Sequence, residues 1–459
     1  MIHHRPTLFR SASMLRRYLS KLLAGWLFLL LSCAASLAAD SSPSADELME
    51  RGRASARQGA FEEALLAWKA AADAYDQLGE TRNHIHALTQ AAFAARTLGH
   101  VNQAFLQEEL AVHLARKLQD LQWLAITLSE LGKTYVANHQ YEVAGDYIAQ
   151  AIEIAQTLPL RSLSAALQND LGIVLAIQGR TKEALEAFRK SAASSKEEGL
   201  IPLFIHARVN AARVAIQLAQ FDMVTPALDE AAGQLADSNA SYEKAEGLVN
   251  LALGYRDLAL AYSPSRASAL TRSAALLQEA VGLTQHPGDA RLASYAYGHL
   301  GHLYEIERRY DEALHLTRRA VFSAQSIRAP ESLYRWQWQS GRLLNRLGQL
   351  DNALSAYQEA AMTLHPIRSE VTFSSQTTAD AHQPSIRALY FELADLLLRR
   401  AALVPDNREA EPYLRAARDT IEAFKAAEHR DYFRDDCVDQ MQARITKLDV
   451  LSPSTAIIY

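Results

Sequence analysis

Small residues return along this chain at a spacing that a stacked helical repeat keeps and few other folds could. Gly52, Ala92, Gly132, Gly172, Ala212, Ala252, Gly301 and Gly341 are separated by five steps of 40 residues, one of 49 and one of 40. A second series, Ala71, Ala111, Ala151, Ser191, Ala231, Ala280, Ala320 and Ala360, takes four steps of 40, one of 49 and two of 40. Both series slip once, so a single nine-residue insertion lies between Ala252 and Ala280, where Tyr262-Ser263-Pro264-Ser265-Arg266 reads as an enlarged turn. Each unit is expected to be two antiparallel helices. Only Gly, Ala or Ser fits where they cross closely, because a larger side chain pushes the backbones apart. Trp68, Tyr141, Phe188 and Tyr357 are expected to fill the space between neighbouring units. One helix pair cannot bury its apolar face alone, so the units must stack into a solenoid.

Composition agrees with that picture. A single core rarely serves more than ~300 residues, and this chain has 459. Hydrophobic residues make up 49% of it, which excludes wholesale disorder, and 13 prolines with 19 glycines are too few for a turn-rich β protein. The net charge of -5 and the lack of a long basic run exclude electrostatic binding to nucleic acid. Gly59, Gly99, Gly179 and Gly348 fall at the turn between the two helices, where a C-terminal glycine takes positive φ.

Within a unit the residues follow a pattern. Leu131-Gly132 precedes Tyr135, Tyr141, Ala144, Ile148 and Ala151, and Leu300-Gly301 precedes Tyr304, Tyr310, Ala313 and Ala320. Similar frames run from Leu171-Gly172 to Phe188 and from Gly341 to Ala360. This resembles the tetratricopeptide repeat family, whose usual unit is ~34 residues. The resemblance covers residues 45–363 as eight units. It implies an all-α, right-handed superhelical solenoid of antiparallel helix pairs that binds a protein or peptide in its concave groove.

Beyond the eighth unit, residues 364–383 read as a polar loop. Residues 384–445 read as a degenerate further helix pair, with helices expected over 385–402 and 409–428. Residues 446–459, ending Ala456-Ile457-Ile458-Tyr459, have strand character. The run from Ile386 through the helix ending near Cys437 to STAIIY resembles CHAT proteins, caspase-like proteins associated with tetratricopeptide repeats. That resemblance implies that 446–459 begins a truncated C-terminal domain, the chain being either the regulatory arm of a cysteine protease without its catalytic part or a repeat-only relative. No nucleophile–base pair is legible, and Cys437 belongs to the linker motif.

Residues 1–38 hold Arg5, Arg10, Arg16, Arg17 and Lys21 and no acid, then the apolar run from Leu22 to Leu31, then Ser36-Leu37-Ala38. This is the layout of a cleavable secretory signal, with cleavage expected after Ala38 and a periplasmic or secreted product. The run Leu30-Leu31-Ser32-Cys33 resembles a lipobox. It implies an alternative in which lipidation at Cys33 ties a scaffold to the outer membrane.

No motif for a catalytic site, a metal or a cofactor is found. His299, His302 and Glu305 share one helix but lack the ligand set of a zinc site. The groove is the candidate site. In the family, ligand-facing residues lie six and three before, and one and four after, the small residue of the first helix. Carried onto this chain, those columns place Arg96, Lys133, Asn169, Arg213, Arg256, Tyr295, His302, Arg335, Trp338, Arg342 and Asn345 in the groove. Of all 32 such positions seven are basic and three acidic, so the expected ligand is acidic or ends in a free carboxylate. Arginines would supply charge-assisted hydrogen bonds, Asn169 and Asn345 would hold backbone amides, and Trp338 and Tyr295 would be apolar anchors.

Overall fold

In the computed structural model, residues 43–368 and 386–433 are described, apart from short gaps at 58–59, 99, 159, 237, 240–241 and 285–288. The expected signal segment, Cys33, Cys437 and the strand-like ending lie outside the described residues.

Eighteen α-helices and no strands are found among the described residues, in nine antiparallel pairs. The first helices are α1 (Ala45–Arg57), α3 (Thr81–Thr97), α5 (Leu121–Ala137), α7 (Arg161–Ile177), α9 (Ile201–Gln217), α11 (Tyr242–Ala261), α13 (Ala290–Ile306), α15 (Pro330–Arg346) and α17 (Ile386–Ala402). The second helices are α2 (Phe61–Leu78), α4 (Val101–Leu118), α6 (Tyr141–Gln156), α8 (Thr181–Glu197), α10 (Val224–Ala236), α12 (Arg266–Leu283), α14 (Tyr310–Ser326), α16 (Leu350–Leu364) and α18 (Asn407–Phe433). The whole is an all-α, right-handed superhelical solenoid. From the second pair to the eighth, successive first helices touch one another, while successive second helices make no comparable contact among the described residues. In a curved stack the elements that crowd together are on the inside, so the first helices line the concave face.

The small residues do what their spacing implies, with a refinement. A Cβ added at Gly52 would lie 2.5 Å from the Trp68 ring, one at Gly172 2.6 Å from Phe188, and one at Gly341 2.4 Å from Tyr357. These three large side chains therefore fill the crossing inside their own unit, not the space between units. Tyr141, grouped with them in the sequence reading, stays half-buried at the start of α6. At six of the crossings the opposed columns are matched in size: glycine faces Trp68, Ile148, Phe188 and Tyr357, whereas the alanine column positions Ala212 and Ala252 go with Leu228 and Leu277. Gly301 departs from this match, because it faces the small Thr317, with the Gln339 amide filling the space beside it. In the ninth pair Leu397 stands where the others have Gly or Ala, and Leu414, the residue that should insert, is left 48% exposed.

The nine-residue insertion is not an enlarged turn. Every other described first helix from the first to the eighth pair ends five residues after its small residue, but α11 continues to Ala261, nine after Ala252. Likewise α12, preceded by a 3-10 turn over Ser263–Ser265, starts at Arg266, fourteen residues before Ala280, where its counterparts, the 3-10 turn before α10 included, start ten before theirs. Each helix gains about one turn, and the connection gains one residue. This hairpin therefore projects about 6 Å further than its neighbours. Tyr262 at its tip stacks on Phe221 of the preceding unit, with ring centroids 4.4 Å apart.

The turn inside each unit imposes positive φ at one fixed position, seven residues after the small residue of the first helix. Gly179 and Gly348 have φ of 74° and 77° there, and His139, Ala219 and Arg308 have 59°, 55° and 61°. The geometry belongs to the unit, and only some units carry the residue that adopts it without strain. The expected polar loop begins later than 364. Leu364 closes α16 and His365–Ile367 form a 3-10 turn. Arg368 follows, buried over the rings of Tyr390 and Phe424.

Candidate binding groove

The phase of the concave stripe differs by one residue from the expected one. The column three before the small residue holds Met49, Thr89, Ser129, Asn169, Val209, Val249, Gly298 and Trp338, and all eight are buried. The column two before it holds Glu50, Gln90, Glu130, Asp170, Asn210, Asn250, His299 and Gln339. Every one of these is polar, and only Gln339 is fully buried. Positions six before, two before and one after the small residue stand four and three residues apart, which puts them on one helix face.

The second column changes the electrostatics. Arg96 is buried and held by Glu108 at 2.6 Å and Glu130 at 2.7 Å. Lys133 sits between Glu130 at 2.8 Å and Asp170 at 2.9 Å. Arg213 pairs with Asp257 at 3.1 Å, and Arg256, also buried, pairs with the other oxygen of Asp257 at 2.6 Å. Arg342 donates two bonds to Glu305, at 2.9 and 3.0 Å, and lies over Trp338. The basic bias counted from sequence is thus largely answered by carboxylates on adjacent first helices. Glu130 and Asp170 were missed because they stand in the column next to the ones counted. Asp257, five after its small residue, was missed for the same reason.

The other expected site residues have these places. Trp338 is 3% exposed, with its indole N–H donating to Glu392 of the ninth pair at 2.7 Å, so it anchors a neighbouring unit and presents no face to the groove. Asn169 is nearly buried and accepts from Asn210 Nδ2 at 3.2 Å. Tyr295 is half-buried, stacked with His299 and edge-on to Trp336. His302, Arg335 and Asn345 are half-buried. His206 and Asn250 meet through Nε2 and Nδ2 at 3.1 Å. Burial pushes the His206 imidazole below its usual range; Glu246 opposes this and Arg213 adds to it. Among the described residues no cluster of His, Cys, Asp and Glu could hold a metal.

The groove therefore has two parts. Toward the N-terminus, α3, α5 and α7 carry an ion-pair network. In the middle, α7 to α13 carry amides and imidazoles from Asn169, His206, Asn210, Asn250 and His299, with Ile173 and Leu253 between them. Each amide there keeps at least one donor or acceptor beyond the bond described, since Asn offers two of each.

Residues 123–197, which make up most of α5 to α8, match the tetratricopeptide repeat family model. The solenoid is built of tetratricopeptide-like repeats. No curated protein matches the chain by sequence. Among solved structures, the apo quorum sensor NprR from B. thuringiensis is similar at 12% identity and TM-score 0.42, covering 80% of this chain and 98% of that one. A Rap protein complexed with competence and sporulation factor is similar at 12% identity and TM-score 0.39, covering 75% and 99%. BtubC from P. vanneervenii is similar at 17% identity and TM-score 0.37, covering 62% and 94%.

Proposed function

We propose that the chain is an extracytoplasmic scaffold that holds a protein or peptide in its concave groove, with the segment between α7 and α13 as the seat. The observation that carries this reading is the unbroken polar column two residues before each small residue. The fold needs a small residue at the crossing, but it places no such demand on a half-exposed neighbour. Seven of these eight hydrogen-bonding side chains reach the surface, Gln339 alone being buried, and they suit the main chain of an extended ligand, which offers a donor and an acceptor at every residue. Ile173 and Leu253 add apolar contacts. With the cations already paired, charge contributes less than the sequence count suggested, and salt should weaken binding only modestly. Support for the location is the basic, apolar and small-residue layout of residues 1–38.

The test is selection of peptides from a random displayed library against the chain, followed by affinity measurement on an Asn210→Ala, Asn250→Ala double variant. Loss of tenfold or more at an unchanged melting temperature is expected. Wild-type affinity in the variant would move the binding site off this face.

A further inference from the structure

One core position carries a residue that does not belong in a core. The column three residues before the small residue of each second helix reads Trp68, Glu108, Ile148, Phe188, Leu228, Leu277, Thr317 and Tyr357, and all are buried. A carboxylate there is 1% exposed. Burying an ion costs several kcal/mol unless it is paired. Arg96 Nη1 donates to Glu108 Oε1 at 2.6 Å, and the Thr134 hydroxyl donates to Oε2 at 2.6 Å. Arg96 is shared, because its Nη2 donates to Glu130 at 2.7 Å. Glu130 also takes Lys133, which reaches on to Asp170, itself accepting from Ser129.

The titratable and charged groups facing Glu108 are thus Arg96 from α3 and Glu130 from α5, with Lys133 of α5 and Asp170 of α7 behind them. Three carboxylates meet two cations. In a low-dielectric interior the balanced state keeps one carboxyl protonated, and the deepest one, holding only a shared cation, is the one that gives up its charge. Burial pushes Glu108 up to about 7, with Arg96 opposing and Glu130 reinforcing. Glu130, despite its own burial, is held at about 2 by Lys133 and Arg96.

We propose that Glu108 is a proton-operated switch beneath the groove wall: protonated, it leaves Arg96 to Glu130; ionised, it draws Arg96 back and alters the charge that Glu130 and Lys133 present to a ligand. The proton comes from solvent. The Thr134 hydroxyl, a donor to the ionised carboxylate, becomes an acceptor from the carboxyl O–H and turns its own proton toward the Glu130 carbonyl, 3.4 Å away. The effect on binding rests on the groove reading; the switch itself is measured without any ligand. A carboxyl with a raised folded-state value binds a proton that the unfolded chain has already released. Its contribution to stability is complete below ~4.3, the ordinary glutamate value, and is lost as pH rises through 7.

The experiment is carboxyl-carbon NMR of the full chain with labelled glutamate, together with thermal melting across pH. One carboxyl should titrate near neutrality and vanish in Glu108→Gln. Melting temperature should fall between about pH 5 and about pH 8 in the wild type and stay flatter in that variant. Thr134→Val removes a charge-assisted donor to the ionised form and only a weaker neutral acceptor from the protonated one, so it should raise the midpoint, and this keeps the test open if Glu108→Gln does not fold. The switch is overturned if every wild-type glutamate finishes titrating below about pH 6, or if Thr134→Val leaves the midpoint in place. Where the switch titrates and library-selected peptides bind, equal pH dependence of affinity in wild type and Glu108→Gln overturns its link to the groove. Failure of any peptide to bind counts against the groove alone.

Discussion

The size-matched columns at the helix crossings make a sharp prediction for Gly172→Ala. The new Cβ would stand 2.6, 2.7 and 2.9 Å from Cε1, Cδ1 and Cζ of Phe188. Ordinary carbon contacts are ~3.5–4 Å, so the ring must move by about 1 Å. Phe188 is 1% exposed and has nowhere to go. Overpacking of this kind costs about 1–3 kcal/mol, while replacing a helical glycine by alanine returns about 1 kcal/mol. The net loss should be between about 0 and 2 kcal/mol. Phe188→Leu alone leaves a cavity and should cost about 1–2 kcal/mol. The double variant restores the Ala–Leu combination of the fifth unit, Ala212 with Leu228. It should be more stable than the two single losses predict by at least ~1 kcal/mol. Urea unfolding followed by helical circular dichroism on all four proteins gives the coupling. Additive losses would refute the claim that the two columns are matched in size.

Other positions give further expectations. Ala219→Gly should gain about 1 kcal/mol, because the turn holds Ala219 at positive φ and glycine accepts that without strain; the thermal midpoint reports it. Acid should destabilise the N-terminal half through Glu130: its depressed value gives a contribution present above ~4.3 and lost as pH falls toward 2, so melting in Glu130→Gln should depend less on pH over that window. Glu392→Ala should loosen the ninth pair by about 2–4 kcal/mol, because it orphans two donors, the Trp338 indole and the Tyr357 hydroxyl, each 2.7 Å away; hydrogen exchange across α17 and α18 should rise first.

The sequence carried the fold through one physical constraint. A close helix crossing admits only a small residue, and that constraint repeats in every unit whatever else changes, so Gly52 to Gly341 could be aligned by arithmetic. The insertion was located by the same means, but its form was not. Alanines, leucines and Tyr262 around the slip suit a helix as well as a turn, and the structure lengthens both helices. The site was less legible because it depends on helical phase. A shift of one residue is about 100° of rotation, enough to exchange buried Val209 for Asn210 and to add Glu130 and Asp170 to the groove. An unbroken run of polar residues two before each small residue was present in the sequence and would have fixed the phase. Glu108 was visible in the same way, as the one acid in a column of Trp, Ile, Phe, Leu, Leu, Thr and Tyr.

The most direct measurement is the labelling rate of two single-cysteine variants, Val209→Cys and Asn210→Cys, in a chain whose Cys33 and Cys437 are replaced by Ser, with and without a library-selected peptide. The account predicts fast labelling at 210 that the peptide suppresses, and labelling at 209 only as fast as the unit opens. Equal rates at the two positions, or a peptide that binds without protecting 210, would contradict it.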